Sequence, residues 1–189
     1  MTWATKQQPL KWVLAPEPEL SFVGSLAAEV NLPVNVTKIL VNRQLDTPEL
    51  IDRFLNPKMT DLKDPFSMIG MELGISRLTK ALFENEKVMI YGDYDVDGIT
   101  ATALLYMVLN KLGAQVIFYL PNRLVEGYGL SVEGIDEAKA NGISLIVTVD
   151  TGITAVEEIE YANGLGIDVV VTDHHEPGMT IPKAHAIIN

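Results

Sequence analysis

At 189 residues, 48% of them apolar, the chain can build one large domain or two small ones with filled cores. With 14 basic and 25 acidic side chains the net charge is −11, which counts against a broad nucleic-acid-binding surface and fits a carboxylate-rich metal site. The absence of cysteine excludes disulfides and zinc–thiolate sites and fits a reducing compartment, and no apolar run reaches the roughly 18 residues of a membrane span.

The first 18 residues hold Pro9, Pro16 and Pro18 and read as an irregular arm. They lack the charged and apolar regions of a signal peptide. Trp3 and Trp12 predict that the arm docks rather than floats. Phe22, Val23, Leu26, Ala27 and Val30 share one helical face over 20–30, and 34–45 carries a second helical pattern. Thr47-Pro48-Glu49 is a helix start, with threonine as N-cap, proline in the first turn and an acid near the dipole's positive end. That helix stops before Asn56-Pro57. A further helix is expected over 68–84. Residues 1–85 are therefore an arm and a helical section without evident chemistry.

From Lys87 the pattern alternates between strand and helix. Val88 to Tyr91 is a short apolar run, read as a buried strand, and Gly92 breaks it. Asp93, Asp95 and Asp97 follow at alternate positions. Ile99 to Leu109 is apolar on nearly every face and predicts a buried helix, closed by Gly113. Further strands are expected at 115–120, 144–149, 167–172 and 184–188. Helices are expected at about 131–141, with Ser131 as N-cap, and at about 154–163. Continuous apolar strands separated by helices predict an α/β fold, a five-stranded mainly parallel sheet with helices on both faces over 86–189.

In such sheets ligands bind at the carboxyl ends of the strands, near a topological switch point. The first four strands all end in polar residues: the Asp triplet, Asn122 with Arg123, Asp150, and Asp173 with His174 and His175. Any one of these sets reads equally as a cap or a turn; four on one edge do not. Oxygen and nitrogen donors without thiolate suit Mn²⁺, Mg²⁺, Co²⁺ or Fe²⁺. The number of carboxylates suggests two ions, which together clamp an in-line displacement at phosphorus. Arg123 offers a fork for phosphate oxygens, or a partner for Glu126. The two histidines are expected to point in different directions and do different jobs. Tyr91 reads as core and His185 as structural. The residues themselves thus describe a metal-dependent phosphoesterase.

The blocks GDYDVDGITAT (92–102), PNRLVEGYGL (121–130), TVDTGI (148–153) and TDHH (172–175) resemble the DHH phosphoesterases. The EGYGL block resembles their single-stranded-DNA exonuclease branch, and the helical lead-in with NRQLDTPELIDRFLNP is similar to that branch as well. The resemblance implies 5′-to-3′ hydrolysis of single-stranded DNA to mononucleotides with Mn²⁺ or Mg²⁺. It further implies two ions in the full-length enzyme and a cytoplasmic role in repair and recombination. Its implied partners are single-stranded DNA, a single-strand-binding protein and a helicase, with no membrane. On the matching positions Asp95, Asp97, Asp150 and His174 are metal-binding, with Asp150 as bridge, and Asp93 is an added candidate ligand. His175 contacts phosphate, with Asn122 and Arg123 beside it. The expected catalytic set is Asp95, Asp97, Asp150, His174 and His175.

Other branches carry a metal-binding histidine where this chain has Tyr91. The family also has a later metal-binding aspartate and a second domain, so the chain reads as an N-terminal fragment, its DHH domain cut short, that folds but is inactive alone. The alternatives are a DHH phosphodiesterase for short oligonucleotides or cyclic dinucleotides, and a non-catalytic replication scaffold of the same fold.

Overall fold

Lys87–Gly92 (β1) and Leu145–Val149 (β3) are the most buried strands of the chain, and side-chain alternation along them divides the core in two. Met89, Tyr91, Ile146, Val169 and Val171 face one side, with Ile135, Ala138, Ile159 and Ala162. Val88, Ile90, Leu145, Val147 and Val170 face the other, with Ala81 and Leu109. This is the period of two expected of strands covered on both faces. The computed structural model describes residues 11–122, 126–127 and 129–189.

The described residues form two compact units, divided between Lys63 and Asp64. In the first, helices Leu20–Glu29 (α1), Val34–Asn42 (α2) and Pro48–Leu55 (α3) gather around Leu26, Leu40 and Ile51. The hydroxyl of Thr47 accepts from the Leu50 N–H at 3.3 Å, the N-cap expected from the sequence. Trp12 is 93% exposed, so the expectation that it docks the arm fails; Trp3 lies outside the described residues.

The second unit opens with helix Met71–Phe83 (α4) and continues with β1, Val96–Lys111 (α5), Gln115–Tyr119 (β2), Val132–Ala140 (α6), β3, Val156–Gly164 (α7), Asp168–Thr172 (β4) and Ala186–Ile188 (β5). All pairings are parallel, in the order β2-β1-β3-β4-β5. The expected five-stranded parallel α/β fold is present. The sequence pattern changes at residue 85, whereas the compact unit begins at Asp64. The difference arises because α4 packs on β5 and anchors itself to the sheet through buried Arg77. The Arg77 guanidinium donates to Asp168 at 2.6 Å and to Glu86 at 2.6 Å.

Two burial expectations are corrected. On α5, Ile99, Leu104, Met107 and Val108 are exposed, although the helix is apolar nearly all round. Strand β2 ends the sheet order and is largely exposed, with Phe118 56% accessible. An edge strand has a neighbour on one side only, and Phe118 meets α5 only edge-on, through the Tyr106 ring at 5.8 Å between centroids, which leaves the rest of its ring open. Among the described residues no helix is long and apolar enough to cross a membrane.

Candidate active site

Strand β1 leads outward to β2, and the chain then returns past β1 to place β3 on its other side. The carboxyl ends of β1 and β3 therefore flank the switch point, where the diverging connections leave a crevice. The Asp triplet follows β1 and Asp150 follows β3, so the strand order brings these acids together. Residues after β4 supply the histidines. The expected convergence on one edge holds for every described member; Arg123 lies outside the described residues.

Asp95 is the N-cap of α5, its Oδ1 accepting from the Asp97 N–H at 2.9 Å and the Gly98 N–H at 3.1 Å. The Gly98 bond foremost, against some desolvation, and then the Asp97 bond hold its carboxyl below the usual range. Gly98 has a second use. A Cβ there would lie 2.5 Å from the Asp93 carbonyl oxygen, so only glycine lets the first turn of α5 close on the backbone of Asp93. Asp93 is 3% exposed, and its Oδ1 has no hydrogen-bond partner among the described residues.

Asp150 is buried and adopts φ 62°, a left-handed conformation uncommon outside glycine and tolerated by Asp and Asn. Its N–H donates to the Thr172 carbonyl at 3.0 Å, which fixes the turn to the end of β4. Its Oδ1 lies 2.9 Å from His174 Nε2. Burial raises its pKa; the His174 contact pulls the other way, and the charge of Asp95 adds to the rise.

The two histidines do not diverge as the sequence suggested. Their rings lie 4.7 Å apart at 32°, side by side, but each has its own carboxylate. His175 Nδ1 meets Asp173 Oδ1 at 2.7 Å. That contact raises the His175 pKa, partial burial opposes it, and the charges of Asp173, Asp150 and Asp93 reinforce it. Asp173 itself is saturated. Its side chain also accepts from the N–H groups of His174 at 2.7 Å, His175 at 3.2 Å and Ile153 at 2.9 Å. Burial raises its pKa, but the bonds from Ile153, His175 and His174 outweigh it and leave the carboxyl low. Asp173 therefore orients the histidine pair and ties it to the residues after Asp150. Sequence reading left it as a cap or turn residue; the adjacency Asp-His-His was the available signal.

Two groups of donors result. Asp93, Asp95 and Asp150 bring one ligand atom each within 4.8 Å of one another, and so do Asp150, His174 and His175. Asp150 is common to both. An orphaned buried carboxylate oxygen and a shared central acid, with oxygen and imidazole donors only, fit hard or borderline divalent cations. Asp97 belongs to neither group. It lines the adjoining cleft of about 320 Å³ with Asp150, Asp173, His174 and Met68. Asn122 lies at the end of β2, one strand over, and its N–H donates to Glu126 at 2.8 Å. Tyr91, at the position of the histidine in other branches, is fully buried and directs its hydroxyl to Gly129 and Ser131. His185 lies near Asp168, at the opposite end of β4.

The profile of the DHH family, N-terminal domain, matches residues 87–189. The chain is 44% identical over 180 residues to the single-stranded-DNA-specific exonuclease RecJ of Bacillus subtilis, covering 95% of this chain and 23% of that protein. It is 40% identical over 173 residues to RecJ of Escherichia coli, covering 90% of this chain and 29% of the other. Among solved structures it is similar to exonuclease RecJ bound to manganese, at 37% identity and a TM-score of 0.62, over 67% of this chain and 32% of that one. It is also similar to RecJ of Thermus thermophilus in complex with Mn²⁺, at 28% identity and a TM-score of 0.63, over 91% and 24%. The chain thus spans less than a third of the length of these relatives.

Proposed function

Because the chain belongs to the DHH family, we propose that it carries the metal-binding half of a phosphodiesterase that removes nucleotides from the 5′ end of single-stranded DNA, releasing mononucleotides. The observation that carries this reading is the pair of donor clusters sharing Asp150 at the switch point. The RecJ names of its relatives give the substrate class.

Asp93, Asp95 and Asp150 would hold one cation, Mn²⁺ or Mg²⁺, and Asp150 with His174 a second. When bound, such a pair supplies positive charge for the developing charge on phosphorus and lowers the pKa of a water. The chain's own residues do the rest. The N-cap bonds keep Asp95 ionised near neutral pH. Asp150 links the two clusters. Asp173 turns His175 and raises its pKa, which suits a donor to a phosphate oxygen better than a neutral ligand. Asp97 faces the cleft as a further acid beside the clusters, and Asn122 and Arg123 belong to the phosphate-binding side. At a net charge of −11 the chain repels a DNA backbone, so the cations are what make the crevice attractive to phosphate. The same reading places the enzyme in the cytoplasm, in repair and recombination, with a helicase and a single-strand-binding protein supplying single strands.

The test is digestion by the whole protein in which this chain occurs. Labelled 5′-phosphorylated single strands, duplexes and cyclic dinucleotides are offered with Mn²⁺ or with EDTA. Mononucleotides released from single strands only, and only with metal, are expected. Preferred cleavage of the cyclic dinucleotide would assign a different branch. No cleavage of any substrate would leave a scaffold.

A further inference from the structure

Strand β3 is apolar at every position but one. Thr148 is fully buried, with Tyr91 of β1 and Val171 of β4 as its register neighbours. A hydroxyl at that depth costs free energy unless it is bonded, and valine would fill the space without that cost. The Thr148 hydroxyl donates to the Thr151 carbonyl at 2.7 Å, in a buried bond that spans Asp150. Gly152 makes room for it: a Cβ there would stand 2.8 Å from Thr148 Oγ1, and the φ of 113° suits glycine. The Thr148 carbonyl in turn accepts from the Thr172 hydroxyl at 2.6 Å, which clasps the ends of β3 and β4.

Asp150 is the residue that needs such a brace. Among the described residues, Asn31, Gln44, Asn85 and Asp150 are the non-glycine residues with positive φ. The first three each lie two places beyond the last residue of a helix, where left-handed residues commonly close helices. Asp150 follows the last residue of β3 instead, so no helix end accounts for it. A left-handed residue other than glycine persists where its surroundings over-determine it. Three bonds do so here. The Asp150 N–H donates to the Thr172 carbonyl at 3.0 Å, the Ile153 N–H donates to Asp173 Oδ2 at 2.9 Å, and the Thr148 hydroxyl closes the turn between them. The backbone conformation sets where the Asp150 carboxylate points, and that carboxylate is the ligand common to both donor clusters.

We infer that Thr148 is a positioning residue for the metal centre: its buried hydroxyl, bonded to the Thr151 carbonyl, holds Asp150 left-handed so that one carboxylate serves both cation sites. Thr148 acts only through Asp150. This inference rests on the two-cation reading above.

The test compares Thr148→Val and Thr148→Ser with the unaltered whole protein. Mn²⁺ binding is measured by calorimetry, stability by thermal unfolding in EDTA, and the conformation at residue 150 in metal-free crystals. Without the hydroxyl bond, Thr148→Val binds Mn²⁺ about tenfold more weakly, while KM for a 5′-phosphorylated single strand in saturating Mn²⁺ stays within about twofold. Thr148→Ser keeps the donor and binds Mn²⁺ as the unaltered protein does. In an Asp150→Asn background Thr148→Val weakens Mn²⁺ binding no further, because the carboxylate it positions is gone. In crystals of Thr148→Val residue 150 leaves the left-handed region. Thr148→Ala, which adds no volume, takes over every measurement if the valine variant does not fold. A lowered Tm in EDTA with unaltered Mn²⁺ affinity overturns the inference and leaves Thr148 a structural residue. Equal losses with and without the Asp150 carboxylate overturn it as well, and so does a residue 150 that keeps its positive φ. If the unaltered protein binds no Mn²⁺ yet residue 150 shifts in Thr148→Val, the two-cation reading fails and the hold on Asp150 stands.

Discussion

Asp93→Asn separates a metal ligand from a structural acid by the sign of two opposite effects. The Asp93 side chain is 3% exposed, its Oδ1 has no hydrogen-bond partner among the described residues, and two further carboxylates lie in the same cluster. An orphaned buried acceptor costs about 1–3 kcal/mol. Asparagine keeps the shape, removes the charge and offers an NH₂ group to the neighbouring acids. In EDTA the variant is therefore more stable than the unaltered chain, by on the order of 1–2 kcal/mol. In Mn²⁺ the order reverses. A cation at 100 times its Kd stabilises the folded state by about 2.7 kcal/mol per site, and the variant forfeits most of that at the Asp93 cluster. At roughly 2–4 °C per kcal/mol both arms are resolved by thermal unfolding across a Mn²⁺ titration. A variant less stable in EDTA that keeps the full Mn²⁺ shift would refute the reasoning and make Asp93 a fold-holding acid.

Asp150→Asn, chosen because asparagine tolerates φ 62°, removes the acid common to both clusters. Turnover in the whole protein falls by at least about 10² to 10³, and saturating Mn²⁺ does not restore it; near-normal rates in a steady-state assay would remove Asp150 from the shared role. Gly98→Ala pushes a methyl group against the Asp93 backbone, where the nearest atom stands 2.5 Å away. It destabilises by about 1–3 kcal/mol and weakens Mn²⁺ binding, read by denaturant unfolding and calorimetry. Arg77→Met leaves Glu86 half-paired under α4 and costs about 3 kcal/mol, below the upper end for a buried pair because Asp168 is half exposed. Burial raises the Glu86 pKa, but the bonds from Arg77 and Ser144 outweigh it, so the folded value lies below the ordinary 4.5. Its contribution is complete above that pH and is lost as pH falls through the folded value. The stability difference between Arg77→Met and the unaltered chain therefore narrows in acid; a constant gap in a pH series of unfolding curves would contradict the assignment.

The order of strands and helices from Lys87 onward was legible in the sequence because it rests on local physics. Four- and five-residue apolar runs make buried strands, and Thr47 and Ser131 cap helices through bonds to N–H groups three residues ahead. The polar strand ends were legible for the same reason, and a parallel sheet must put them on one edge. Strand neighbours are not local. Only the order β2-β1-β3-β4-β5 seats Asp150 beside Asp93 and Asp95, and only the fold around Asp173 gives His175 a carboxylate of its own while His174 meets Asp150. Exposure was misread on α5 and β2 because periodicity reports which faces are apolar and says nothing of what arrives to cover them. Glu126 accepts from Tyr119 of β2 and from Ser131 at the start of α6, and Ser131 meets Tyr91 of β1; hydrogen-bond partners far apart in sequence are chosen by packing, so that network exists only in the folded molecule.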